Sequence, residues 1–205
     1  MTSRALENKP ATNKRQAILD TALNLFVTQG FHGSSTAQIA RQAGVATGTL
    51  FHHFSSKEML LNELFLSIKQ EFAEDILQVF QGLDLDTHPQ RSLKASAQKL
   101  WNRAIDWAIA NPIKQRFFLL YALSPELAVD VREQAMNSIL GFISKLLTQG
   151  QAMGEIVTFP LGLMLDNCHG QYLASIRFFT DYPALGQDPL HREASFELFW
   201  RSIKA

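Results

Sequence analysis

The chain has 205 residues, 46% of them apolar and 19% charged, with a formal net charge of zero; this is the make-up of an ordinary globular protein, long enough to bury a core in one domain or two. Its longest apolar run, Phe117 to Leu123, is far short of the roughly 20 residues that span a bilayer, so no membrane partner is expected. The polar N-terminus MTSRALENKPATNKR is followed by no apolar segment and Cys168 is the only cysteine, so a secretory signal and a disulfide are not expected and the cytoplasm is the expected location.

Zero net charge argues against a uniformly basic nucleic-acid binder, yet it hides a gradient. Residues 1–57 carry Arg4, Lys9, Lys14, Arg15, Arg41 and Lys57 against Glu7 and Asp20, a surplus of four positive charges that the remainder cancels. A basic head on an acidic body suggests that the head alone meets an anionic partner.

Helical periodicity starts early. Ile18, Leu19, Ala22, Leu25 and Phe26 form one apolar stripe that Gly30 should end. Ser35-Thr36-Ala37-Gln38 matches a capping box, in which the Ser hydroxyl and the Gln side chain each satisfy the other's backbone N–H. The helix it opens turns Ile39, Ala40 and Ala43 inward and stops at Gly44, a residue that tolerates the left-handed conformation past a helix end. A short third helix is expected from Thr47 to His53. Ser55-Ser56-Lys57-Glu58 then caps a long fourth helix with Leu60, Leu61, Leu64, Phe65, Ile68, Phe72, Ile76 and Phe80 on one face, ending near Gly82. Leu83 to Gln90, with Asp84, Asp86 and Pro89, reads as a loop. Beyond it, helices are punctuated at Asn111-Pro112, Ser124-Pro125, Gly150 to Pro160 and Tyr182 to Pro189. Phe117 to Leu123 is apolar all round, the pattern of a helix buried on every side in the middle of the body. No strand pattern is present. The fold expected is all-α with about nine helices: an N-terminal arm and three-helix head over residues 1–57, and a larger helical domain over 58–205.

Within the head, Ala37 to Phe54 has the layout of a helix-turn-helix, here over about residues 35–54. Ile39, Ala40, Val45 and Leu50 can form its small core, while Thr47, Gly48, Thr49, His52 and His53 point outward. Hydroxyls and imidazoles can bond to phosphates or base edges, and Gly48 permits close approach to a sugar-phosphate backbone.

The series Ser35-Thr36-x-x-Ile39-Ala40-x-x-Ala43-Gly44-Val45-Ala46-x-Gly48-Thr49-Leu50-Phe51-x-His53-Phe54-x-x-Lys57-x-x-Leu60 resembles the N-terminal signature of the TetR family of bacterial regulators, a match running from about Lys14 to Leu64. The resemblance implies that Thr36 and Ala37 lie beside phosphates or bases, that Thr47, Gly48, Thr49 and His53, with His52 beside them, face the major groove, and that Lys57 holds a phosphate with help from the helix dipole. Phe51 stands where the family usually has Tyr, so its ring packs without a hydroxyl to offer. Ala46 replaces a frequent capping Ser, and Thr47 could cap in its place, shifting the recognition helix by one residue.

The body carries Trp101, Trp107, Phe117, Phe118, Tyr121, Met136, Phe142, Met153, Met164 and Tyr172. A stripe of this kind is more often plain core; the family resemblance implies a ligand pocket among these helices, lined by the set other than Met153, and Trp101 to Asn111-Pro112 resembles multidrug-responsive members. The nearest charges in sequence are few (Arg103, Asp106, Lys114, Arg116 and Asp166), which points to a largely apolar or aromatic small-molecule effector. Leu165, Cys168, Tyr172 and Ile176, followed by Phe196, Phe199 and Ile203, recur at helical spacing. They suit either the chain's own core or a dimer interface, and the resemblance favours a homodimer whose last two helices pair in a four-helix bundle. A dimer would hold two recognition helices about 34 Å apart for a palindromic operator in double-stranded DNA.

Neither an enzyme nor a metal or cofactor site is expected. His32, His52, His53, His88, His169 and His191 contain no pair four residues apart, Cys168 and His169 point different ways round a helix, and no Gly-rich phosphate loop or nucleophile elbow occurs. The function expected is a ligand-responsive transcriptional regulator, a homodimeric repressor released by its effector, with the fourth helix as lever. A helical adaptor that does not bind DNA is the rival reading.

Overall fold

The computed structural model describes residues 9–78 and 93–205; Phe80, the end of the fourth helix near Gly82 and the loop Leu83 to Gln90 lie outside them. Among the described residues there are ten α-helices: α1 (Lys9–Gly33), α2 (Thr36–Gln42), α3 (Thr47–His53), α4 (Lys57–Leu77), α5 (Leu93–Ala110), α6 (Pro112–Tyr121), α7 (Val129–Gln134), α8 (Gly141–Ala152), α9 (Leu161–Asp181) and α10 (Pro189–Ile203), with a π-helical turn, Ala135–Ile139, before α8. Among the described residues no helix is long and apolar enough to cross a membrane. The chain packs as two compact units, one built from the chain up to Ile68 with Arg116–Val131, the other from Lys69–Gln115 with Arg132–Ala205.

In the first unit, the stripe Ile18, Leu19, Ala22, Leu25 and Phe26 is buried as its period requires. Gly30 breaks α1 with φ 76° and ψ 169°, and one further turn runs to Gly33, so the glycine kinks the helix before its end. α2 is capped by Ser35, whose hydroxyl accepts from Gln38 N at 3.1 Å. The Gln38 amide donates to Gln29 Oε1 at 3.0 Å, tying α2 to α1 where a reciprocal capping box would have turned it back to Ser35. At the other end Gly44 has φ 69°, and the bonds Val45 N to Ala40 O and Gly44 N to Arg41 O, at 3.0 and 3.2 Å, complete a Schellman turn. Ser56 caps α4, accepting from Met59 N at 3.1 Å.

Phe117 to Leu123 belongs to this unit, which corrects its placement in the middle of the body. Phe117 and Phe118 pack on Phe65, with centroids 6.4 and 5.5 Å away, and the Tyr121 hydroxyl donates to Phe26 O at 3.0 Å. Leu120 and Leu123 are 47% and 86% exposed, so the segment is buried on one side only. Seven apolar residues in a row carry no period, and the sequence offered no way to tell its wet side from its dry one.

In the second unit α5, α8, α9 and α10 pack around aromatic side chains. Trp101 stacks on Phe199 with centroids 4.6 Å apart and donates from Nε1 to Ser195 Oγ at 3.0 Å. α8 lies so close to its neighbours at Gly150 that a Cβ there would meet Ile156 Cδ1 and Leu93 Cδ2 at 2.5 Å. The C-terminus is tied down by Val157 N to Ile203 O and Ala205 N to Glu155 O, at 2.9 and 3.0 Å.

Gly44 gives a clean test of the turn, because a Cβ at that position would meet nothing within 4 Å and only the backbone conformation opposes it. Gly44→Ala should cost about 1 kcal/mol and lower the thermal midpoint by roughly 2–4 °C. An unchanged midpoint in calorimetry would remove the left-handed turn from the account of the head.

Candidate nucleic-acid interface and ligand cavity

α2 and α3 are fixed from beneath by Ile39, Ala40, Leu50 and Phe54, all essentially inaccessible to solvent. The set expected to meet DNA lies on these two helices and the start of α4, away from that core. Ala37, Thr47, Gly48, Phe51 and His52 are exposed, and Thr36, Thr49, His53 and Lys57 half-buried. Ala46 is the N-cap of α3 and no side chain caps it. Thr47 is therefore the first helical residue and not a cap, and the outward register is the unshifted one. The His52 and His53 rings stand edge to face, 5.4 Å apart.

Lys57 lies differently from a free surface lysine. Its Nζ sits 4.1 Å from the centre of the Phe31 ring, a cation–π contact, and partial burial lowers its pKa against the opposing pull of Glu58. On the other side of the head, the Arg15 guanidinium lies 5.2 Å from the centre of the Phe54 ring and pairs with Glu63. Both contacts clamp basic side chains onto aromatic rings of the small core. Lys14 on α1 and Arg41 on α2 are exposed; sequence reasoning counted them as charge without assigning them a contact.

The second unit holds a partly open apolar cavity of about 110 Å³. Of the residues expected to line a pocket, Trp101, Met136, Phe142 and Tyr172 border it. Met136 belongs to the π-helical turn, an irregularity often found at functional sites. Trp107 is buried edge to face on Phe72 at 5.0 Å, and Met164 is buried with Sδ 3.3 Å from Gln151 Nε2; neither is on the lining. Phe117, Phe118 and Tyr121 are corrected, since they form the aromatic core of the first unit with Phe65 and Phe26.

The residues expected at a dimer interface also need correction. Leu165, Cys168, Tyr172, Ile176, Phe196, Phe199 and Ile203 are all buried within the single chain, and Leu165, Cys168, Tyr172 and Phe199 border the cavity. A helical stripe of large apolar residues reports burial, and here the chain's own core supplies it. The apolar side chains that α9 and α10 leave in solvent are others, Leu163, Phe178, Leu190 and Leu198.

Two polar residues on the cavity wall were not among those the sequence placed at a pocket. Lys69, on α4, is 1% exposed, and its Nζ lies 3.4 Å from Nε2 of His169 on α9. Burial lowers the Lys69 ammonium to about 7, and burial with the neighbouring Lys69 lowers His169 to about 3. Burial raises the Cys168 thiol to about 11 and pushes the Tyr172 hydroxyl upward. That hydroxyl lies 3.3 Å from Ala104 O and 3.2 Å from Gln115 Oε1, and Gln115 Nε2 is buried with no hydrogen-bond partner among the described residues. The signal was available: Lys69 stands four residues after Phe65 and three before Phe72, and His169 four after Leu165 and three before Tyr172, both at inward positions of their stripes.

Comparison with known proteins agrees with this geometry. Residues 18–64, which hold the small core and the outward set, match the model of bacterial regulatory proteins of the tetR family. The HTH-type transcriptional regulator SrpR of Pseudomonas putida is 29% identical over 166 residues, covering 79% of this chain and 71% of that one. The transcriptional regulator FadR of Bacillus subtilis, solved in complex with stearoyl-CoA, shares the fold with TM-score 0.68 at 21% identity, over 90% of this chain and 96% of that chain. A crystal structure of a tetR family transcription regulator from Shewanella sp. PV-4 is 56% identical and superposes with TM-score 0.86 over 94% of this chain and 98% of its own. With the likeness extending from the helix-turn-helix through the whole helical body, the chain belongs to the TetR family of DNA-binding transcriptional regulators.

Proposed function

We propose that the protein is a homodimeric repressor that grips a palindromic operator with α2 and α3 of each copy and lets go when a small effector occupies the second unit. One observation carries the DNA-binding part. Gly48 lies exposed in α3, and a Cβ added to it would meet nothing within 4 Å, so neither packing nor backbone conformation asks for glycine. Glycine in a helix costs about 1 kcal/mol against alanine. Close approach of a sugar-phosphate backbone to the first turn of the recognition helix is a use that offsets that cost. Around it, Thr47, Thr49, His52 and His53 offer hydrogen bonds to base edges or phosphates, Phe51 packs against sugar, and Thr36, Ala37 and Lys57 flank the groove.

The dimer would form on the outward faces of α9 and α10, where Leu163, Phe178, Leu190 and Leu198 stand in solvent and a four-helix bundle could cover them. The effector would act by linkage: binding the conformation whose recognition helices are wrongly spaced lowers operator affinity by the factor that DNA lowers effector affinity. α4 supplies the covalent route, since it begins with Lys57 in the first unit and continues without a break into the second.

Anisotropy binding to duplex fragments from around its own coding region should show tight, fragment-selective association that weakens linearly in log affinity with log salt. Gly48→Ala should weaken that binding at least tenfold while stabilising the fold by up to about 1 kcal/mol. Weak binding, alike for every fragment and indifferent to salt, would favour a helical adaptor. Sedimentation should give a dimer for the wild type and a monomer for the pair Leu190→Glu and Leu198→Glu, with operator affinity lost in parallel. A monomeric wild type would sink the dimer.

A further inference from the structure

The second-unit cavity is apolar except where Lys69 and His169 meet on its wall. Burying an amine among aromatic and aliphatic side chains is costly in its charged form, even with its Nζ 5.8 Å from the centre of the Phe72 ring. Such an expense at an inward position marks a functional group more often than a structural one. The charge sense is also specific. The ionisable side chains that border the cavity among the described residues are Lys69, Cys168, His169 and Tyr172, two bases and two very weak acids. The carboxylates that follow Lys69 on its own helix, Glu71, Glu74 and Asp75, are engaged with Lys114, Gln70 and Arg103. Among the described residues a cationic ligand would find no carboxylate on this wall, whereas an anion would find an amine that can take up a proton.

Size narrows the ligand further. About 110 Å³ is comparable to an engineered apolar cavity of about 150 Å³ that binds benzene, so the body of the ligand is a single ring or a chain of about six carbons. We propose that this cavity is the effector site and that its effector is a compact monocarboxylate, the carboxylate on the Lys69 amine beside His169 and the apolar body among Phe72, Leu100, Trp101 and Phe142. The inference rests on the reading of the second unit as the effector-binding part and names the class of effector.

Once protonated, the ammonium has three N–H donors and the carboxylate two acceptor oxygens, so it can donate to the carboxylate while His169, neutral with its pKa near 3, accepts from the same ammonium. In the free protein Lys69 is half protonated near pH 7; a carboxylate arriving beside it raises its pKa. Binding at pH 8 therefore takes up a proton, and above pH 7 the dissociation constant should rise by about tenfold per pH unit.

Calorimetric titration of the full chain with benzoate and hexanoate, and with benzamide and hexanamide as neutral counterparts of the same shape, tests this between pH 6 and 9. The acids should bind at least tenfold more tightly than the amides at pH 6, weaken about tenfold per unit above pH 7, and show uptake of close to one proton at pH 8 when phosphate and Tris buffers are compared. Lys69→Met should bind acid and amide alike with no dependence on pH, and Lys69→Arg should keep the preference for acid while losing the dependence. Amides that bind the wild type as well as acids do, or acid affinity flat across the range, would overturn the anion site while leaving the cavity as a pocket for neutral effectors. Failure of all four compounds to bind would overturn it as well. Acids that bind with the expected proton uptake yet leave operator affinity unchanged would sustain the site and overturn its role as the effector site.

Discussion

A helix of seven residues does not persist alone in water, because nucleation costs more than so few propagating bonds return. α2 and α3 are each that short, so the helix-turn-helix exists only as far as Ile39, Ala40, Leu50 and Phe54 are buried. Everything that faces outward on these helices depends on that burial. It fixes the register of α3, with Thr47, Gly48, Phe51 and His52 turned to solvent, and the Gly44 turn sets where α3 begins. Lys57 on Phe31 and Arg15 on Phe54 close the edges of the same small core.

Much of this head was legible in the sequence because its signals are local. A Ser three residues before a Gln marks a helix start, a glycine after the last inward Ala a helix end, and a stripe of period 3.6 a helix with a buried face, and the helices begin and end close to where those residues place them. Gly30 was legible as a breaker, yet it kinks α1 where a stop was expected, since the following turn can resume the helix once the glycine has absorbed the left-handed dihedral. The exchange at Gln38 was not legible, because its partner Gln29 comes from the previous helix.

The body was legible only as helices. Periodicity reveals that a face is buried and is silent about what buries it, so Leu165 to Ile203 could equally be core or interface, and the structure turns them to the core. The same silence covered Phe117 to Leu123. Lys69 and His169 were passed over for a related reason: reading a stripe by its apolar members skips the polar residue that occupies one of its inward places. Such a residue breaks the local rule at a cost to stability, and rule-breaking of this kind is concentrated at functional sites.

Lys69 immediately follows Ile68, the last α4 residue of the first unit, on a helix that runs unbroken from the head into the body. Burial lowers its pKa from 10.5 to about 7, a penalty on the charged form of about 5 kcal/mol. A coupling between two binding sites typically amounts to about 1–3 kcal/mol. The penalty on charging this one amine is larger than a coupling of that size. Under the proposed function, an anion that restores its charge would draw on that penalty, whereas a purely apolar effector filling the same cavity would have to obtain its coupling from shape alone. On that proposal Lys69 is the group on α4 that distinguishes a cavity holding an anion from an empty one, on the helix that both units share.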